Sequence, residues 1–298
     1  MRPLLRLMLR YVARPVLGPP LPARWQRIGI NLLMAGMPTA RGVRRENLVC
    51  GAARVERQTP QRVRDDTVIL YAHGGAFLVG SPATHRGLTT RLARSAKAGL
   101  YSLDYRLAPE HPYPAALQDA RSAYEFLLSE TTSDRRIVLA GDSAGAGLML
   151  ALAVCLREAQ RPMPDALVMI SPWVDYALSG RSLRERAAID PLLREAWVRQ
   201  GLAAYAGDHD AAALSPLAMS LGGLPRCLIQ VGSDEILLDD ARRLDQRLRE
   251  AGVPSTLREY PGLWHEFQLH AGLMRESNAA INEIADFLHA APVIPDKS

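Results

Sequence analysis

Ser143 stands in Gly141-Asp142-Ser143-Ala144-Gly145, directly after the apolar run from Arg136 to Ala140 and ahead of a long helical pattern reaching about Ala159. A serine between two glycines at a strand-to-helix junction sits on a turn too tight for larger neighbours, its hydroxyl presented for attack on a carbonyl. Extended to Gly147, the same segment reads G-x-x-x-G-x-G, a spacing with which short-chain dehydrogenases bring backbone amides up to a pyrophosphate. That cofactor reading requires the glycines on the first strand and a tyrosine four residues ahead of a lysine. At least two strand-like segments precede Gly141, and the only lysines, Lys97 and Lys297, have Ala93 and Val293 at that distance. No Gly-Lys-Ser/Thr follows the glycines, so a phosphate loop is excluded as well. The dehydrogenase is the weakest reading and the nucleophile the strongest.

A serine nucleophile needs a base, an acid and donors for the developing oxyanion. In α/β architectures they follow in the chain order serine, acid, histidine. Four histidines lie downstream, at 209, 265, 270 and 289, and only His265 falls in the loop just after the last expected strand, near 255–260. The donors are expected from AHGGAFLVG, where His73-Gly74-Gly75-Ala76 follows a buried strand. Glycines there let the backbone approach a substrate with no Cβ in the way. Gly74, Gly75, Ala76 and Ala144 are the expected oxyanion hole, with the amides of 75, 76 and 144 converging on one oxygen. His73 is expected to order its loop, and Asp142 to anchor the turn rather than act as a base.

The elements that must position these groups alternate. Strand patterns at 67–72, 100–105, 136–140, 166–170, 227–231 and 255–260 are separated by helical patterns, the rhythm of a mostly parallel sheet covered on both faces. Between 174 and 222 the rhythm breaks, with helical pieces around 191–205, at the strand end where such folds place their ligand crevice. The first stretch carries Leu4, Leu5, Met8, Leu9 and Val12 at helical spacing and Arg2, Arg6, Arg10 and Arg14 every four residues. It is too short and too charged to span a bilayer, it lacks the cleavage pattern of a signal peptide, and packing over its own domain is the expected use.

Composition bounds the rest. Apolar residues make up 48% and charged residues 22% of the 298, ordinary values for a soluble domain. The net charge of +5 comes almost wholly from scattered arginine, without a nucleic-acid-binding pattern. Cys50, Cys155 and Cys227 contain no C-x-x-C pair, so buried free thiols in a reducing, cytoplasmic compartment are expected. No metal or cofactor is called for.

From about Thr67 to Leu288 the sequence resembles the bacterial hormone-sensitive-lipase-like (family IV) carboxylesterases of the α/β-hydrolase superfamily. The resemblance rests on HGGA at 73–76, DYRLAPEHPYPAALQD at 104–119, GDSAG at 141–145, SPW at 171–173 and DEILLDD at 234–240. SPWVDYALSG and RSLRERAAIDPLL look closest to the short-chain esterase and ε-lactone hydrolase branch. It implies an eight-stranded sheet, a cap from about 1–45 and 174–222, hydrolysis of short- to medium-chain esters or lactones through an acyl-enzyme, no metal, and a homodimer as a common assembly. In that family the acid lies four residues before an aspartate and thirty before the histidine. From Asp239 and from His265 both counts reach Glu235, with Asp234 one position off as the rival acid. Asp239 and Asp240 then read as helix-start charges favoured by the dipole. Ala76 replaces the third glycine of HGGG, Ala146 the glycine after GDSAG, and Glu266 the glycine that usually follows the histidine, where it is expected to narrow the pocket. Plant gibberellin receptors resemble the same branch without the histidine, so a non-catalytic receptor is the alternative of another class, and His265 argues against it.

Overall fold

Eight strands form one sheet in the order β1-β2-β4-β3-β5-β6-β7-β8. They are β1 (Val43–Cys50), β2 (Ala53–Pro60), β3 (Thr67–Ala72), β4 (Gly99–Asp104), β5 (Arg136–Asp142), β6 (Ala166–Ile170), β7 (Arg226–Gly232) and β8 (Ser255–Tyr260). The computed structural model describes residues 1–64, 66–130 and 135–290. From β4 to β8 all neighbours pair in parallel, whereas β1–β2 and β2–β4 are antiparallel.

Composition explains the order. In β3, TVILYA is buried at every position, and β5, β6 and β7 are nearly so, as strands covered on both faces must be. One face carries helices Pro82–Ala96 and Arg275–His289, sealing Ile69, Leu88, Leu92, Val168, Ile284 and Leu288 beneath them. Helices Ala115–Glu130, Ala144–Glu158 and Leu238–Glu250 cover the other. The strands β1 and β2 lay outside the sequence pattern. VRRENLVC and ARVERQTP are too polar to signal a buried strand, and they fold as the antiparallel edge. Val43 opens β1, so the first non-sheet stretch stops short of 45.

That stretch lies against its own domain. Residues 2–16 are helical, with a π-helical turn at Leu9–Ala13, and a further helix spans Ala23–Met34. Of its apolar stripe, Leu5 and Leu9 are buried, while Leu4, Met8 and Val12 are exposed. The arginines turn inward instead. Arg2 donates to Pro261 O at 3.1 Å, Arg6 to Ile189 O at 2.6 Å, Arg10 to Ala188 O at 2.9 Å and Arg14 to Asp190 O at 2.9 Å. A spacing of four lines them along one helix face. Each supplies a charged donor to a loop carbonyl, so Arg6, Arg10 and Arg14 fasten the helix to the segment between β6 and β7 and Arg2 fastens it to the loop after β8.

Close packing around residues 141–145 sets the geometry of the centre. A Cβ on Gly145 would lie 2.1 Å from Ala72 O and 2.5 Å from His73 O, and one on Gly141 would lie 2.8 Å from Ala72 O. Backbone, unlike a flexible side chain, cannot move aside. Gly145→Ala should therefore cost about 3 kcal/mol of unfolding free energy, whereas Gly36→Ala, which meets nothing within 4 Å, should stay within about 0.5 kcal/mol. Urea denaturation of both variants checks the contrast.

Candidate active site

Ser143 sits between the end of β5 and helix Ala144–Glu158 with φ +48° and ψ −119°. For a residue with a Cβ this is strained backbone. It is over-determined by its neighbours: Ser143 N donates to Ile170 O at 2.9 Å, and Ser143 O accepts from Trp173 N at 3.1 Å and Gly147 N at 3.2 Å. Gly147 is required by the same packing, since a Cβ there would lie 2.4 Å from Trp173 O.

His265 follows β8 and is buried, as is Glu235 beyond β7. Its Nδ1 lies 2.6 Å from Glu235 Oε2. The other carboxylate oxygen accepts from Gly232 N at 2.7 Å and Ser171 Oγ at 2.9 Å. Ser171 Oγ also accepts from Glu266 N at 3.2 Å, so this one hydroxyl braces both the acid loop and the histidine loop. Asp234 turns the other way, into an ion pair with Arg6 at 2.8 Å. From the segment between β6 and β7, Asp190 accepts from Ile236 N at 2.9 Å and from Leu192 N and Leu193 N at 2.8 Å, gripping the acid loop from outside. Asp239 and Asp240 do more than favour a helix dipole: they accept from Ser182 N, Val174 N and Asp175 N.

The other edge of the His265 ring faces Glu266, with Nε2 3.5 Å from Glu266 Oε1. Among the described residues no hydrogen bond joins Ser143 Oγ to this nitrogen; before substrate binds, such bonds are often long and tighten only in the complex. Burial works against a charge on the ring, but Glu266 and Glu235 outweigh it and hold its pKa well above the ordinary histidine range. Burial, with Asp142 close by, pushes Glu266 up to about 7.

In the loop after β3, the amides of Gly75 and Ala76 donate to no other protein group among the described residues, and neither does that of Ala144 in the first turn of its helix. Gly74 differs from the expectation: its N–H is taken up by Asp142 Oδ2 at 2.9 Å. A Cβ on Gly74 would strike Glu266 Oε1 and Asp142 Oδ2, which is why the position needs glycine. Tyr105, from the Asp-Tyr-Arg motif, donates to His73 O at 2.8 Å and stacks on the His73 ring. Arg27 donates to Leu78 O and Ala108 O, both at 2.7 Å, and so clamps the loop from outside. Arg27 carries no local signal; Ser171 and Asp190 lie in the SPW and RSLRERAAIDPLL strings, which marked the segments but not the bonds these two side chains make.

Asp142 accepts from Tyr71 OH at 2.5 Å and His85 Nε2 at 3.1 Å in addition to Gly74. Burial opposes its charge, yet His85 and these donors hold its pKa well below the carboxylate range. His85, Asp142 and Glu266 bring ligand atoms within 4.8 Å of one another. They do not suit a cation, because Asp142 is already surrounded by donors and His85 turns a ring nitrogen onto it. The cluster is a hydrogen-bonded anchor.

A cavity of about 970 Å³, open mouth included, leads to His265, Glu266, Gly74 and Gly75. Its outer walls are Leu5, Met8, Leu9, Val12, Leu33 and Met34. This is the lining of a site for an apolar ligand.

A model of the α/β-hydrolase fold family matches residues 69–269. The chain is 43% identical over 230 residues to an acetyl-hydrolase of Streptomyces hygroscopicus, covering 76% of this chain and 77% of that protein. It is 39% identical to an esterase of Acinetobacter venetianus, covering 74% of each. The crystal structure of an esterase from the bacterial hormone-sensitive lipase family superposes with a TM-score of 0.91 at 38% identity, over 96% of both chains.

His73 gives a pH test of the loop. Its Nδ1–H donates to Gly74 O at 2.7 Å, and burial, reinforced by His85, pushes its pKa down to about 3. In the unfolded chain it takes up a proton near pH 6.5, so below that pH the unfolded state binds a proton the folded state refuses. This contribution to stability is therefore complete above 6.5 and falls by up to about 1.4 kcal/mol per pH unit between 6.5 and 3. His73→Gln should lose less stability than the wild type between pH 7 and pH 5, read from urea midpoints at both.

Proposed function

The chain belongs to the bacterial hormone-sensitive-lipase-like branch of the α/β-hydrolase family and is an ester-hydrolysing serine hydrolase; from that premise we propose that Ser143, His265 and Glu235 are its catalytic triad. The observation that carries this assignment is the 2.6 Å contact between Glu235 and His265 in a loop pair anchored by Ser171. Ser143 Oγ attacks the ester carbonyl while His265 Nε2 takes its proton. The amides of Gly75, Ala76 and Ala144 hold the oxyanion, aimed where charge develops rather than where it rests. His265 then protonates the departing alcohol and afterwards draws a proton from the water that cleaves the acyl-enzyme. Glu235 keeps the proton on Nδ1 and stabilises the imidazolium.

Residues 1 to about 42 and 174–222 form the cap, and the apolar walls that Leu5, Leu9 and Leu33 give the cavity suit short to medium acyl chains. The relative named acetyl-hydrolase supports the short end of that range. Three free cysteines, two of them buried, fit a reducing, cytoplasmic compartment. The outer edge of β8 is the surface for the homodimer that the resemblance implies.

Two measurements separate these roles. Ser143→Ala should lower kcat for p-nitrophenyl acetate by at least about a thousandfold and abolish fluorophosphonate labelling; Glu235→Gln should be severe and Asp234→Asn mild, and the reverse order would reassign the acid. Glu266 gives the pH profile its position. A base must be neutral to accept the serine proton, and Glu266 favours the charged ring, so kcat/KM rises with pH along a limb set partly by Glu266. Glu266→Gln should shift that limb to lower pH while leaving the fluorophosphonate reaction intact at high pH.

A further inference from the structure

We propose that the outer face of residues 1–34 is a docking surface for lipid aggregates carrying negative charge, which delivers esters directly into the cavity. This goes beyond the hydrolase assignment and does not depend on which carboxylate completes the triad.

The first observation is an exposed apolar face. A surface helix ordinarily turns its apolar stripe to the protein and its charges to water. Here Arg2, Arg6, Arg10 and Arg14 bond to loop carbonyls beneath the helix, while Leu4, Leu7, Met8, Tyr11 and Val12 stand 56%, 54%, 48%, 69% and 45% exposed. The next helix adds Trp25, Ile28 and Leu32, at 52%, 49% and 73%. Nine of the twelve exposed large hydrophobic residues among those described fall within the first 34 positions, so this is a patch rather than the scatter expected of a monomer surface.

The second observation is continuity. Met8 and Val12 belong both to this face and to the cavity wall. An acyl chain lying against the face passes into the same cavity that His265, Gly74 and Gly75 line.

Charge identifies the occupant. Residues 1–45 contain nine arginines and no aspartate or glutamate; Arg24, Arg41 and Arg45 are exposed, as is Arg44 beside Glu46. A second copy of the chain would set like charge against like, which disfavours a symmetric interface. Anionic headgroups complement the arginines, and aromatic Tyr11 and Trp25 suit the boundary between headgroup and acyl chain. No described helix is long and apolar enough to cross a membrane, so the contact is peripheral.

Sedimentation of the full chain with vesicles of phosphatidylcholine, with and without a third of phosphatidylglycerol, tests this. The protein should pellet with the anionic vesicles, less so at high salt, and its fluorescence should shift to the blue through Trp25, since Trp173, Trp197 and Trp264 are buried already. Leu7→Glu/Tyr11→Glu/Leu32→Glu should weaken vesicle binding by about tenfold or more with unchanged thermal melting and unchanged turnover of p-nitrophenyl acetate. Tyr11→Glu alone provides a milder version should the triple variant fold poorly. Failure of the wild type to bind either vesicle, equal binding with and without phosphatidylglycerol, or undiminished binding by the variants would overturn the proposal. So would a dimer in light scattering that the substitutions dissociate, which would hand the face to a second copy.

Discussion

The contact between the 141–145 turn and the end of β3 governs the centre of this molecule. Two parallel neighbours end at the same level, and only a chain lacking side chains at 141 and 145 can fold back over Ala72 O and His73 O. That approach forces Ser143 into its strained conformation and brings the turn beside the Gly74–Ala76 loop. The central strands are buried on both faces, so neither end can slide to relieve the crowding. The strain at one serine is thus held by the sheet as a whole.

Beneath the turn lies a dense set of charges. Asp142 gathers Tyr71, Gly74 and His85, Glu235 gathers Gly232 and Ser171, and Glu266 stands between the two groups beside His265. Buried carboxylates survive only where donors surround them, and nearly every donor here is a backbone amide or a side chain from a different strand end. The hydrogen bonds that make burial tolerable are those that fix the loops in place. Glu266 is the exception, with one oxygen lacking a hydrogen-bond partner, which is why it bears on the titration of its neighbour.

Much of this was legible in the residues themselves. The strands β3, β5, β6 and β7 announce themselves as apolar runs, the glycines mark the turn, and the register back from Asp239 and His265 reaches the carboxylate that lies against the ring. What could not be read depends on tertiary partners. The β1–β2 edge is polar enough to pass for loop. That the arginines of residues 2–14 bond to the domain while Leu4, Leu7 and Val12 stay exposed could not be read, because periodicity gives the faces of a helix, not which one meets the protein. The carbonyls of Pro261, Ala188, Ile189 and Asp190 that draw the arginines inward are hundreds of positions away. Gly74 illustrates the finer limit: its type foretold a close approach, but not that its amide would turn toward Asp142.

The grip of Asp190 on Ile236 and on its own neighbours 192 and 193 divides the segment between β6 and β7 into parts of unequal freedom. Exchanging the stretch around 190–193 for another sequence would disturb a relay partner of the imidazole, whatever it did to the shape of the entrance. Residues 207–210, exposed throughout, carry no such tether. Of this segment, only Leu192 and Trp197 line the cavity among the described residues, so its share in substrate preference lies in and just beyond the tethered stretch, while the freer part can vary without touching the chemistry.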